Sequence, residues 1–176
     1  MFRITVALIV ILAASTARAD DEPAADPAAS DEAGPSRAAD KGTVGVGLIL
    51  GEPTGVSAKL YLTDDQAIQA AAGYAFIGGG LHLHADYVLH PLILQSRDSF
   101  VLLAYVGPGV RLIQYRGSDD NTFVAIGVRG VGGLLFDFKD QPLDAFVEVA
   151  GVLEFGFEGE GADVALNAAA GVRYYF

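Results

Sequence analysis

The sequence predicts an all-β protein: a closed, eight-stranded antiparallel β-barrel of up-and-down meander topology, transmembrane in character. Three observations carry this. From Thr43 onward, runs rich in Gly, Val, Leu and aromatics are cut by seven turn-like breaks, which leaves eight segments. Within those segments apolar and polar residues alternate with the period of two that belongs to a strand, and glycine falls inside nearly all of them, which disfavours a helix. The aromatics of the apolar set gather near segment ends, as they do at the two interfaces of a membrane barrel.

The chain begins MFRITVALIVILAASTARAD, with a positive charge at Arg3, an apolar run from Ile4 to Ala14 and Ala17-Arg18-Ala19 before Asp20. That is the layout of a secretory signal peptide over 1–19, cleaved after Ala19, and the run is too short to span a bilayer as a helix. No cysteine follows it, so no lipid anchor is expected. Residues 20–42 carry seven acids against Arg37 and Lys41, with Ala and Pro between them and no apolar periodicity. Such a segment buries too little to offset its ordering entropy, so it reads as a disordered acidic periplasmic tail, a spacer or a partner-binding arm.

Residues 43–176 form the barrel, with breaks at GEPTG (51–55), TDD (63–65), IGGG (77–80), HPLILQSRD (90–98), RGSDDN (116–121), KDQP (139–142) and EGEGAD (158–163). In the second segment Val56, Ala58, Leu60 and Leu62 oppose Ser57, Lys59 and Tyr61. In the fourth, Leu81, Leu83, Ala85, Tyr87 and Leu89 oppose His82, His84, Asp86 and His90. The fifth contains Pro108 in GPG, where a missing ladder donor predicts a bulge or bend. In the sixth, Val124, Ile126, Val128, Leu134, Phe136 and Phe138 oppose Gly127, Arg129, Gly133 and Asp137. The seventh sets Val147, Val149, Leu153, Phe155 and Phe157 against Asp144, Glu148, Glu154 and Gly156. The eighth sets Val164, Leu166, Ala168, Ala170, Val172, Tyr174 and Phe176 against Asn167, Arg173 and Tyr175. One face is apolar and the other polar throughout this reading.

Three features place the apolar face outward. Tyr87, Phe100, Phe136, Phe138, Tyr174 and Phe176 would form one aromatic girdle, and Tyr74, Phe76, Phe155 and Phe157 the other. The polar set, Lys59, Arg111, Arg129 and Arg173 with Asp86, Glu148 and Glu154 among glycines, can fill a narrow lumen with ion pairs. An even number of strands closes a barrel with both termini at one end, and closure satisfies every backbone group, as lipid demands. A soluble, secreted, lipocalin-like barrel with the apolar set inward around a hydrophobic ligand is the alternative.

Composition narrows the chemistry. A formal net charge of -11 and the absence of cysteine argue against nucleic acid and against thiolate chemistry. The stretch LHLHADYVLH holds all three histidines, and its H-x-H-x-D pattern points His82, His84 and Asp86 the same way. Zinc or copper would need a neighbouring strand to complete the shell. The plainer reading makes these residues part of a lumen polar network, Lys59, His82, His84, Asp86, Arg111, Arg129, Glu148, Glu154 and Arg173, with no metal, cofactor or catalytic role. A lipid-modifying enzyme is a further alternative, with His82 or His84 as base and Asp86 or Glu148 orienting it, but Ser57 is joined to no histidine by any motif. A general pore is not expected, because eight strands enclose a space that side chains fill.

The export-signal pattern, the eight alternating segments and the terminal RYYF resemble the small Gram-negative outer-membrane barrels of the OmpA and OmpX type. GLILGEPTGVSAKLYL, LHLHADYVLH and GVRYYF are also similar to a poorly characterised family of small bacterial outer-membrane barrels. The resemblance covers about Thr43 to Phe176. It implies the fold, an outer-membrane location and contact with outer-membrane lipid, and hardly anything about function; the role expected of such a barrel with a filled lumen is structural, in envelope integrity or weak surface contacts, rather than enzymatic. It also implies that Val172, Tyr174 and Phe176 form the assembly signal read by the outer-membrane insertion machinery.

Overall fold

The structure is a computed structural model that describes residues 41–76, 80–116, 122–156 and 161–176. The expected signal peptide, nearly all of the acidic tail, most of IGGG and RGSDDN, and the first half of EGEGAD lie outside these residues. Among the described residues run eight strands: β1 (Val44–Gly51), β2 (Thr54–Tyr61), β3 (Gln66–Ala75), β4 (Gly80–Ser96), β5 (Phe100–Arg116), β6 (Thr122–Phe138), β7 (Leu143–Gly156) and β8 (Ala162–Tyr175). Each pairs antiparallel with the next, and β8 returns to β1, so the ring is closed in sequence order. It is the all-β, up-and-down barrel that the alternation predicts.

The stagger of the ring can be walked through its pairs. Leu48 faces Val56, Val56 faces Ala72, and the path continues through Leu83, Leu112, Ile126 and Phe155 to Ala162. Leu48 itself pairs with Val172, ten residues away from Ala162 along β8. A shear of this kind tilts the strands and fixes the barrel's width, which for eight strands leaves room inside for side chains alone. The stagger also explains unequal strand lengths. β1 and β2 have eight residues each, whereas β4, β5 and β6 have seventeen.

The period-two burial pattern assigns the faces. Leu48, Leu50, Val56, Val128, Val149, Val164, Leu166 and Val172 are exposed outward, while Lys59, His82, Asp86, Arg129, Asp144 and Arg173 are buried within the ring. Tyr174 and Phe176 meet edge to face at the end bearing the termini, and Phe100 and Phe136 pair on β5 and β6 toward the same end. Tyr74, Phe76 and Phe155 are exposed at the opposite, loop end, and Phe157 lies outside the described residues.

Three details differ from the sequence reading. HPLILQSRD is not a break: β4 runs on to Ser96, and the turn is confined to 97–99. Its ladder with β5 shifts register between Leu89 and Leu92 and again between Ile93 and Gln95. Pro91 falls in the first of these bulges, where no ladder donor is required. Pro108, by contrast, marks no bulge, since Asp86↔Gly109 and Leu89↔Val106 keep one register across it and Gly130 faces it on β6.

The inward face, finally, is not polar throughout. Ile49, Ala67, Val88, Val101, Leu103, Val131, Leu135, Phe146 and Ala150 form a buried apolar cluster there with Tyr61, Tyr105 and Tyr175. Inward glycines make space for its rings. Gly45 faces Tyr175, Gly133 faces Tyr105 and Gly171 faces Phe146 across the ladders. A Cβ at Gly133 would lie 2.5 Å from the Tyr105 ring, and one at Gly171 would lie 2.6 Å from Phe146. Ring over glycine is a known way to cover a bare strand position.

Candidate functional site

The lumen carries its polar groups in layers, each assembled from residues on several strands because alternate positions of every strand point inward. The central layer is built on Arg129 of β6. Its Nε stands 2.8 Å from Asp86 Oδ1 and its Nη2 3.2 Å from Glu148 Oε1. Gln69 of β3 donates through Nε2 to Glu148 at 2.9 Å and to Asp86 at 3.3 Å, and the Tyr105 hydroxyl donates to Glu148 at 2.8 Å. His84 Nε2 lies 3.9 Å from each carboxylate.

Toward the loop end, Arg111 Nη2 meets Glu154 at 2.8 Å. The same guanidinium donates to Asn167 and to the Tyr115 hydroxyl, each at 3.1 Å, and Tyr115 donates in turn to Glu154 at 2.7 Å. His84 Nδ1 sits 3.4 Å from His82 Nε2, and His82 Nδ1 is 3.8 Å from Glu52 Oε1 in the β1–β2 turn.

Toward the termini, Arg173 Nε donates to Asp144 at 3.1 Å, Tyr175 donates to the same carboxylate, and the guanidinium stacks 4.1 Å above the Phe146 ring. Lys59 is held differently. Its Nζ is 2.8 Å from His90 Nε2 and lies 4.8 and 5.2 Å from the ring centres of Tyr61 and Tyr105. His90 Nδ1 faces the Asp65 carbonyl at 3.1 Å, so Nδ1 carries the proton and Nε2 accepts from Lys59. Lys41, in the expected tail, pairs with Asp137 at the terminal rim and donates to the Leu143 carbonyl at 2.6 Å.

All nine residues read from sequence as lumen-facing are buried: Arg129 gathers Asp86, Glu148, His84 and His82, Arg111 pairs with Glu154, and Arg173 and Lys59 stand apart, on Asp144 and His90. Val172, Tyr174 and Phe176 lie on the outward face of the closing strand. Sequence reasoning passed over Gln69, Tyr105 and Tyr115, and it left Glu52, Asp144 and Asn167 out of the network. Parity places Asp144 and Asn167 on the polar face without joining them to the network. Tyr105 lies inside the apolar run VLLAYVG, where nothing marks its hydroxyl as a lumen group.

No protein-family model and no curated protein matches the chain. Among solved structures, the N-terminal β-barrel domain of Pseudomonas aeruginosa OprF is similar, with 20% identity over 76% of this chain and 94% of that one and a TM-score of 0.48. At that level the likeness adds nothing to the strand pairings already described.

The arrangement can be tested against chemistry. His84, Asp86 and Glu148 bring one ligand atom each within 4.8 Å of one another, the spacing of a metal cluster. Yet Arg129, Gln69 and Tyr105 already donate to these two carboxylates through five close contacts, with which a cation would have to compete. As it stands, the group is an ion-pair layer. Ser57 is buried on β2 between Gly47 and Ala71, which face it across the ladders.

Proposed function

We propose that this chain is a bacterial outer-membrane barrel with a structural, envelope-integrity role or a weak surface-interaction role. One observation carries the reading: charge and grease are inverted relative to a soluble protein. Val164 and Leu166 are 77% and 74% exposed, while Lys59, Arg129 and Arg173 are 1%, 4% and 1% exposed. A water-soluble chain would lose free energy at both sites, whereas hydrocarbon outside and a sealed lumen inside suit both. Closure supports the same reading, since lipid tolerates no lipid-exposed sheet edge.

Residues 1–19 then serve as the export signal, 20–42 lie in the periplasm, and Val172, Tyr174 and Phe176 serve as the assembly signal for the insertion machinery. The lipocalin-like alternative needs the apolar set inward, opposite to the observed faces. A lipid-modifying activity is disfavoured because His82, His84 and His90 are buried in the lumen, away from the outer wall where lipid would lie.

The deciding experiment is a carbonate wash of membranes followed by gel electrophoresis in SDS, boiled beside unboiled. A wash-resistant band that shifts on boiling is expected. Release into the soluble fraction with no shift would sink the proposal.

A further inference from the structure

The wall of the ring is not of one height. On β1 the outward apolar residues run from Val44 to Leu50 and on β2 from Val56 to Leu62, just past the strand, whereas on β6 they run from Val124 to Phe138. A strand tilted by about 40° gains about 2.5 Å of height per residue, so the first two walls stand about 15 Å tall and the third about 35 Å. The apolar band of a membrane barrel is about 25 Å tall, which leaves β1 and β2 about 10 Å short.

The ladders place that shortfall at the loop end. β1 makes its last pair at Gly51 with Ala169, and the Glu52 N–H donates to the Ala168 carbonyl at 2.9 Å. β8 continues beyond, to Ala162, with β7 on one flank and, among the described residues, no strand on the other. Leu166 and Val164 share the parity of Ala168, so their N–H and C=O groups turn toward the open flank. Accordingly the Val164 N–H donates to Asp163 Oδ1, at 2.8 Å, instead of to a strand. Across the β1–β2 turn, Thr54 pairs with Tyr74, and Phe76 stands exposed above them. The turn is the floor of a notch.

That floor lies deep in the band. The ladder row through Leu48 climbs toward the loop end, since it reaches β8 at Ala162, ten residues loopward of Val172, the neighbour of Leu48. Each strand adds about 3 Å, so Phe155, on the same row at β7 and in the loop-end girdle, stands about 18 Å above Leu48 and about 10 Å above the turn. By the same geometry Val110 of β5 stands within about 2 Å of the level of Leu50. In a bilayer of even thickness the turn and the open flank of β8 would be immersed in hydrocarbon, where backbone groups find no water.

We propose that the outer leaflet thins beside β1 and β2, so that lipid headgroups and their water descend into the notch and meet the β1–β2 turn and the open flank of β8. The partner is a lipid surface, offering headgroups at a level where the rest of the ring meets acyl chains. This inference rests on the membrane reading above.

The test uses the full chain, which has no tryptophan, refolded into liposomes of phosphatidylcholine brominated either near the headgroup or near the chain ends. One tryptophan is introduced at a time, by Leu50→Trp, Val110→Trp or Leu62→Trp. The first two sites are level on opposite sides of the ring, and the third lies at the terminal end of the short wall. Thinning predicts that shallow bromine quenches more strongly at Leu50 and Leu62, with emission shifted to the red of that from Val110, where deep bromine quenches more strongly. Any other order at Leu50 and Val110 overturns the inference, while the quenching itself upholds the membrane reading. A shallow order at Leu50 with a deep order at Leu62 overturns it as well, because a tilted barrel in an even bilayer gives that result. No quenching by either lipid at any site sinks the membrane reading and the inference with it. Should Leu50→Trp lose the heat-shifted band, Val56→Trp, at the uppermost outward apolar residue of β2, takes its place under the same criteria.

Discussion

At the scale of single residues, the lumen contains two kinds of buried cation, and they should respond differently to removal. Arg129 forms ion pairs with two carboxylates at once. Arg129→Met strands both charges in a dry interior, a loss on the order of 3–5 kcal/mol. The midpoint of urea-induced unfolding in micelles should fall accordingly, and adding Asp86→Asn and Glu148→Gln to the same chain should recover most of it. Lys59 is held by a neutral imidazole and two ring faces instead. Lys59→Met leaves only His90 Nε2 short of a donor while it relieves a buried ammonium, so the same assay should move by less than about 1–2 kcal/mol. Equal losses in the two variants would contradict this division. Sequence parity made the cations legible because Lys59, Arg111, Arg129 and Arg173 each interrupt an otherwise small or apolar inward set. Their partners were harder to read. Which carboxylate meets which guanidinium depends on the register between strands, which sets Asp86, Gly109 and Arg129 in one row and Arg111, Gly127 and Glu154 in another, and a single strand's pattern does not show that register. Tyr105 was hidden for another reason: its ring belongs to the apolar cluster and only its hydroxyl reaches Glu148.

At the scale of elements, depth along a strand should govern the cost of an outward charge. Val149 lies near the middle of β7 and is 57% exposed, whereas Val164 is the third residue of β8 at the loop end and is 77% exposed. Both look equally tolerant in water. In a bilayer, Val149→Arg should cost about 2–4 kcal/mol and Val164→Arg about 0–1 kcal/mol, measured as folding free energy into liposomes. Similar, small costs at both positions would mean that this wall does not face hydrocarbon. The strands themselves were legible from alternation, and the failure at HPLILQSRD shows the limit of that signal. Proline and polar residues mark turns and bulges alike, and only the register with β5 distinguishes them. The loop end of β8 shows how an element manages an edge. Above the Glu52 N–H bond to Ala168, β8 extends past β1, and Asp163 accepts the Val164 N–H through its own side chain at 2.8 Å. A charged residue on such a stretch discourages a foreign strand from adding there.

At the scale of the whole molecule, the question is whether a ring of this size conducts. The stagger of ten residues over eight strands sets a bore that side chains can close, and this chain closes it by two unlike means in series. In the loop half, Arg111 and Arg129 bind carboxylates from β4 and β7 across the lumen. Nearer the termini, Phe146, Tyr105 and Tyr175 lie over inward glycines among Val101, Leu103, Val131 and Leu135. An ion entering the first region would have to separate buried pairs, and one entering the second would shed its water against hydrocarbon and rings; each step is opposed by several kcal/mol. The wild-type protein reconstituted in a planar bilayer should therefore show no steady stepwise conductance. Relieving one region alone should not change this, because the other still seals the path. The combination of Arg129→Ser, Glu148→Ser, Tyr105→Ala and Phe146→Ala removes obstruction from both, and brief openings are expected in that variant provided it retains its heat-shifted band. Steady conductance from the wild type would mean that the layers part in the membrane, and a channel opened by Tyr105→Ala with Phe146→Ala alone would assign the seal to the rings and leave the ion pairs a purely structural part.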